Sequence, residues 1–372
     1  MDSARKPLHD LSSRSRQVQI SVDASVAYDL ILVLWAALGG DDKASAHALG
    51  QSWFDDFRTA LPSKTIKLAE KVSPHAVAWP ALLGVIEGAP VPHNPDSVIE
   101  WLKAQDPTFV RQRLIAEQFC DFDPKVVAEA ASGDTTALDM LLDDPQIRHK
   151  EADFKSSLRA SMMLDAEEMV GGLIEVMIEA RKGAFQPFER QWADALERDA
   201  IDKRIDVSNA SGPRELIETV SNGISYEVPP GVRRIVVIPS VSLRPWTLIT
   251  DFAEGLLVCC PVSEEALNSD PDAPPSWMVA TYRALGDEKR LRMLRRLAEN
   301  PASLAELTEY LGLAKSTVFH HIGVLRAAGL VRVALAADDR ENLTYSLRFD
   351  SIPDRAALIE QYLSPARKEA KP

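Results

Sequence analysis

The chain has 372 residues, of which 46% are hydrophobic and 26% charged, and its formal net charge is −13. That length exceeds what one hydrophobic core organises, so two or more domains are expected, and the composition excludes a fibrous or disordered chain. Three cysteines, Cys120, Cys259 and Cys260, are too few and too scattered for a disulfide framework.

The first sixteen residues, MDSARKPLHDLSSRSR, are polar and lack the apolar segment of a secretory signal. The longest apolar stretch, Leu30 to Leu38, is too short to cross a bilayer. A cytoplasmic protein with no membrane partner is expected. Val18, Ile20 and Val22 then alternate with polar residues, which predicts a strand.

From Ser25 the pattern turns helical. Residues 27–40, AYDLILVLWAALGG, are apolar nearly all round and predict a central core helix. Amphipathic segments follow, punctuated by Pro and Gly. Two long helices are expected over Arg148–Lys182 and Pro187–Ile205, and Gly171-Gly172 reads as a close-packing point. Trp35, Trp53, Trp79, Trp101 and Trp192 are read as core residues ahead of a ligand cavity.

The character changes at Pro229-Pro230-Gly231. Arg233–Pro239 and Gly255–Pro261 are short apolar runs that predict strands, with a third between them, and the strand near Val18 can join their sheet. Neighbouring Cys259 and Cys260 would point to opposite faces of a strand and chelate poorly together, which favours buried thiols, with a thiol sensor for arsenic or oxidants as the alternative. The Arg244-Pro245-Trp246 cluster has three open readings: a docking point for the C-terminal domain, a site for an anionic effector (Arg244, Trp246), or a structural ion pair. NSDPDAPP, Asn268 to Pro275, is an acidic, Pro-rich linker.

Beyond it, Asp287 is placed to cap a helix carrying Leu291, Leu294 and Leu297. Ser303 and Glu306 form a capping box, Leu304, Leu307 and Leu311 repeat at helical spacing, and Gly312 ends that helix. A second helix carries the stripe Val318, Ile322 and Leu325, leaving Lys315, Ser316, Phe319, His320, Gly323 and Arg326 outward. Val331, Val333 and Leu335, a polar tip, then Leu343, Tyr345, Leu347 and Phe349 predict an antiparallel hairpin with one buried face. Helix, tight turn, cationic second helix and hairpin are the parts of a winged helix-turn-helix that enters the DNA major groove. Local charge agrees: residues 277–349 hold eleven Lys and Arg against eight Asp and Glu, so the acid lies in the N-terminal part.

The run ALGDEKRLRMLRRLAENPASLAELTEYLGLAKSTVFHHIGVLRAAGLVRV resembles the winged helix of the ArsR family of bacterial transcriptional regulators. The marks are ALGD-xx-RLRML, S-LAEL, GLAKSTV-x-HH and LRAAGLV. Two positions depart: Ala314 stands where the family often has an N-capping Ser, and Phe319 where it often has a small polar residue. The whole arrangement, with RIVVIPSVSLRPW, also resembles longer ArsR-family regulators in which a helical domain precedes the winged helix. The Cys-x-Cys and terminal His ligands of metal-sensing members are missing, and no dinucleotide, phosphate-loop, hydrolase or metalloprotease motif occurs. No catalytic residue, metal site or cofactor is therefore expected. His9, His47, His75, His93 and His149 read as structural or solvent-facing.

The fold expected is mainly α with small β elements, a helical N-terminal domain with a small sheet plus a C-terminal winged helix-turn-helix. The expected layout is a disordered tail over 1–16, a mostly helical effector or dimerisation domain over 17–267, a linker over 268–276, the DNA-binding domain over 277–350, and a C-terminal helix and tail over 351–372. The function this reading gives is a DNA-binding repressor acting on an operator as a homodimer. Its dimer contacts are expected from Ile352–Leu363 and the helix around Trp277–Leu285, and a small organic effector in the N-terminal domain is expected to control it. Ser316, Thr317 and His320 should meet phosphate or bases, Lys315 and Arg326 phosphate, Phe319 a thymine methyl, and Arg340 the neighbouring backbone or minor groove. The alternatives are a protein-interaction scaffold, suggested by the acidic tip Asp338-Asp339-Arg340-Glu341, and an enzyme with an appended regulatory domain.

Overall fold

The computed structural model describes residues 18–39, 47–119, 122–143, 152–252, 255–267, 274, 276–336 and 339–348. Cys120, His9, His149 and the expected C-terminal helix Ile352–Leu363 lie outside these residues.

The chain opens with strand β1 (Gln19–Val22) and helix α1 (Val26–Leu38), the latter capped by the Ser25 hydroxyl. Tyr28, Leu30, Ile31, Leu32, Val33 and Leu34 are all buried, as an apolar helix without a polar face requires. Helices α2 (Gln51–Ala60), α3 (Ser63–Val72), α4 (Trp79–Ile86), α5 (Pro95–Ala104), α6 (Pro107–Gln118), α7 (Pro124–Ala131) and α8 (Thr135–Leu142) build the body around it. Asn94, Asp106, Asp123 and Asp134 cap α5 to α8, so the Pro and Asp punctuation of the sequence sets each start.

The expected helix over Arg148–Lys182 is two helices among the described residues, α9 (Ala152–Met162) and α10 (Ala166–Ala180). The break is a capping event, because Asp165 accepts hydrogen bonds from the backbone of Glu167 and Glu168. A π turn over Arg181–Phe185 then leads straight into α11 (Gln186–Asn209). Gly172 is the close-packing point, where a Cβ would stand 2.5 Å from Val72, whereas Gly171 meets nothing within 4 Å. The tryptophans are packed in core: Trp79 is fully buried, and Trp53 stacks on both Phe57 and Trp192.

Helix α12 (Pro213–Val220) and strand β2 (Ile224–Tyr226) precede β3 (Arg234–Ser240), β4 (Leu248–Phe252) and β5 (Gly255–Pro261). The first sheet has the order β1-β3-β5-β4, with β1, β3 and β5 parallel and β4 antiparallel at the edge. Its two faces bury different partners. Val236, Ile238, Leu257 and Cys259 face the helical body, while Ile235, Val237, Leu256, Val258 and Cys260 join Leu216, Ile217 and Val220 of α12. Burial on both faces explains why these strands read as continuous apolar runs. Cys259 and Cys260 occupy opposite faces as expected, and burial pushes the Cys260 thiol up to about 12 and that of Cys259 well above its ordinary value.

After the short helix α13 (Glu264–Leu267), the C-terminal unit comprises α14 (Ser276–Leu285), α15 (Glu288–Glu299), β6 (Ala302–Ser303), α16 (Leu304–Leu311), α17 (Lys315–Ala327), β7 (Val331–Ala336) and β8 (Asp339–Leu347). Its own core holds Met293, Leu294, Leu297, Leu307, Leu311, Val318, Ile322, Leu325, Val331, Val333 and Tyr345. Leu291, expected inside, is exposed, and Met293 takes the buried position. The chain is mainly α with small β elements. Among the described residues no helix is long and apolar enough to cross a membrane.

One pairing crosses the expected boundary at the linker. Strand β2 pairs parallel to β7, so the second sheet has the order β2-β7-β8-β6 and includes a strand from the N-terminal part. Arg332 on β7 reinforces it with an ion pair to Glu218 of α12 at 2.6 Å.

Candidate nucleic-acid interface

The two helices of the helix-turn-helix are held by local chemistry. The Ser303 hydroxyl accepts from Glu306 N–H at 3.3 Å, and the Glu306 carboxylate accepts from Ser303 N–H at 2.7 Å. Gly312 takes φ 62°, the left-handed conformation that ends α16. Ala314 caps α17 with no side-chain hydrogen bond, consistent with its missing hydroxyl. Asp287 accepts from Arg290 N–H at 2.9 Å, and this bond holds its carboxyl below the usual range.

Helix α17 presents three stripes. Val318, Ile322 and Leu325 face the domain core. Lys315, Ser316, Thr317, His320 and Ala327 are exposed, forming an open stripe that begins at the helix N-terminus. The third stripe, Phe319, Gly323 and Arg326, is covered by Trp246 from the turn between β3 and β4. The Trp246 and Phe319 rings stack at 4.7 Å and 10°, and the Arg326 guanidinium lies 5.5 Å from the Trp246 ring centroid. A Cβ on Gly323 would stand 2.9 Å from the same indole, so only glycine permits this approach.

The expectation that Phe319, Gly323 and Arg326 lie outward is thereby corrected. Gly323 and Arg326 are buried and Phe319 half-buried. Burial pushes the Arg326 guanidinium down to about 10, and its Nε has no hydrogen-bond partner among the described residues. A side chain so enclosed cannot reach phosphate in this arrangement. The sequence missed the cover because Trp246 lies seventy-three residues before Phe319. Of the open readings for Arg244-Pro245-Trp246, the geometry shows two together: Trp246 docks the helix, and Arg244 forms an ion pair with Glu264.

The turn that delivers Trp246 is anchored from α1. Asp29 is wholly buried and accepts hydrogen bonds from Val241 N–H (3.0 Å), Ser242 N–H (3.0 Å), Ser240 Oγ (2.6 Å) and Ser242 Oγ (2.6 Å). Four donors offset the desolvation of that carboxylate, although burial still raises its pKa. His47 Nδ1 lies 2.9 Å from the Ser242 carbonyl on the same turn.

His321 is half-buried, and burial pushes its imidazole down toward the neutral form, while neighbouring His320 is exposed. Arg340 falls on β8, and its side chain is outside the described residues, as is the tip at 337–338. On α14, Val279 and Tyr282 are exposed at i, i+3 spacing. His75 bonds the Ser157 hydroxyl at 2.8 Å, a structural role. His93, expected to be structural or solvent-facing, is buried against Asp23 and Tyr28.

Comparison with known proteins agrees with this geometry. Residues 287–333, from the cap of α15 to the middle of β7, match the family model described as "Bacterial regulatory protein, arsR family". No curated protein and no solved structure matches the chain significantly. The matched segment takes in α15, both helices of the helix-turn-helix and the first half of β7, and this segment is similar to the helix-turn-helix of the ArsR family of DNA-binding transcription regulators.

Proposed function

We propose that this chain is a transcriptional repressor that binds a pseudo-palindromic operator as a homodimer. The carrying observation is the open stripe of α17. Lys315, Ser316 and Thr317 in the first turn and His320 one turn on are exposed, while one stripe of the helix faces the domain core and another is covered by Trp246. Hydroxyl, imidazole and ammonium groups at the N-terminal end of a recognition helix are the donors and acceptors that read base edges and phosphates. Arg340 on the wing is assigned to the neighbouring backbone or minor groove.

Dimerisation is supported by the exposed Val279 and Tyr282 on α14, which offer an apolar edge to a second copy. Symmetric half-sites would then lie about 34 Å apart, one helical turn of DNA. The N-terminal domain is the control element, because Trp246 grips the recognition helix itself. A small organic effector shifts DNA binding only if it prefers one placement of this grip over another.

Selection of binding sites from random duplex DNA, followed by titration at several salt concentrations, tests this reading. Enrichment of an inverted repeat and a steep loss of affinity with salt are expected. A sedimenting monomer with no enriched sequence would overturn it. A second reading, a protein-interaction scaffold, draws on the same Trp246 contact, since α17 already engages protein through one stripe. Salt-insensitive association with no DNA retention would favour it.

A further inference from the structure

Away from the DNA-facing unit, four side chains converge where β1 gives way to α1. Asp23 follows β1, Tyr28 lies in the first turn of α1, Glu87 ends α4, and His93 sits in the connection to α5. His93 and Tyr28 are buried, and the Glu87 and Asp23 side chains are 4% and 19% exposed. His93 Nδ1 lies 2.5 Å from Asp23 Oδ2 and 3.2 Å from the Tyr28 hydroxyl. That hydroxyl is 2.5 Å from Glu87 Oε1 and 3.3 Å from Asp23 Oδ2.

Counting protons shows what the cluster lacks. His93 Nε2 faces the Ala89 carbonyl at 2.9 Å, which can only accept, so Nε2 carries the ring proton. In the neutral ring Nδ1 then presents a lone pair to Asp23 Oδ2. Tyr28 has one proton, and the closest acceptor for it is Glu87 Oε1. The lone pairs of His93 Nδ1 and Asp23 Oδ2 therefore face each other and require a cation between them, a proton or a metal, while Glu87 Oε1, which takes the Tyr28 proton on one lone pair, keeps a second lone pair within 4.8 Å of both.

The supporting bonds favour a metal. Each of the three groups has its other polar atom fixed by a separate partner. Asp23 Oδ1 accepts from Ser25 N–H at 3.1 Å, Glu87 Oε2 from Arg234 Nη2 at 3.1 Å, and His93 Nε2–H donates to Ala89. Anchoring the non-ligating atom orients a metal ligand and fixes an imidazole tautomer. The ligand atoms all lie within 4.8 Å of one another. Metal–ligand bonds of about 2.1 Å place neighbouring ligand atoms about 3 Å apart, so the cluster needs only small side-chain adjustment.

We propose that Asp23 Oδ2, Glu87 Oε1 and His93 Nδ1 bind one divalent first-row transition-metal ion, with Tyr28 and Arg234 as positioning residues. One imidazole and two carboxylates suit Mn2+, Fe2+ or Zn2+ and offer no thiolate for softer ions. The remaining coordination positions fall to water or a small anion.

The test uses the full-length chain, stripped with a chelator, dialysed against Mn2+ or Zn2+ and analysed for bound metal by mass spectrometry. About one equivalent per chain and a higher Tm with the ion present are expected. His93→Gln and Glu87→Gln should each abolish retention, and Tyr28→Phe should weaken it about 10- to 100-fold, the range for lost supporting bonds. Circular dichroism checks that each variant is folded. Should a variant fail to fold, Co2+ titration of the wild-type chain reads the site directly, through visible absorption of a nitrogen–oxygen donor set. Wild-type protein that keeps no ion and shows no Tm response to either would overturn the proposal and leave a proton-bridged imidazole–carboxylate pair. Retention unchanged in folded His93→Gln and Glu87→Gln would overturn it as well, by placing the metal elsewhere.

Discussion

Trp246 lies flat on Phe319, with ring planes 10° apart and centroids 4.7 Å apart, which joins the first sheet's β3–β4 turn to the recognition helix. A stacked aromatic pair contributes about 0.5–1.5 kcal/mol beyond its buried area. In a double-mutant cycle, Trp246→Ala and Phe319→Ala should therefore show a coupling of about 1 kcal/mol by urea denaturation. A coupling near zero would mean that the rings touch without holding the domains together.

Gly323→Ala tests the same contact from the other side. Alanine is favoured over glycine in a helix interior by about 1 kcal/mol. Its Cβ would nevertheless stand 2.9 Å from the Trp246 indole. The substitution should stabilise an isolated helix but loosen the grip in the full chain. Faster proteolysis of the 268–276 segment, at unchanged or higher helical content, is the expected readout.

DNA recognition should divide along the stripes of α17. Lys315→Ala is expected to weaken all sequences alike and lower the salt slope by about one unit. Phe319→Ser should leave the selected operator unchanged, because Phe319 faces Trp246 and not the groove. A shifted consensus in site selection would show that the helix turns its covered stripe toward DNA when bound.

Asp29→Ala removes one acceptor group from four donors in the turn that carries Trp246. Buried donors left without partners cost about 1–3 kcal/mol each, partly relieved by relaxation, so a loss of about 3 kcal/mol or more is expected. Asn at this position keeps one acceptor and should recover part of it. Chemical denaturation measures both, and equal stability of the two variants would contradict the account.

Asp287 gives a pH dependence with a defined sign. Its carboxyl is held below the usual range by the Arg290 N–H, so the folded state binds its proton less readily than the unfolded chain does. The stabilisation is present above about pH 4, the ordinary carboxyl value, and is lost as pH falls through the depressed folded value. Asp287→Ala should cost about 1 kcal/mol near neutrality. That gap should narrow in acid, measured by urea melts across pH. A gap independent of pH would assign the effect to something other than the charged cap.

The sequence by itself determined the helix-turn-helix. Ser303, Glu306 and Gly312 act on backbone groups within a few residues, and Val318, Ile322 and Leu325 repeat at the helical period, so their roles are written locally. It determined strands β3 and β5 too, since burial on both faces leaves an unbroken apolar run at Ile235–Ile238 and Leu256–Cys260, although their parallel pairing came only from the structure. Only the tertiary structure decided which stripe of α17 is open. Phe319 and Arg326 share the polar-side spacing of Ser316 and His320, and nothing nearby in sequence marks Trp246 as their cover. Strand β2 went unread for the same reason: three residues carry too little periodicity, and its partner β7 lies more than a hundred residues away. His93 looked like one scattered histidine because its partners Asp23 and Tyr28 lie 70 and 65 residues earlier. Periodicity and capping record interactions along the chain, whereas meetings between distant side chains depend on packing and leave no local pattern.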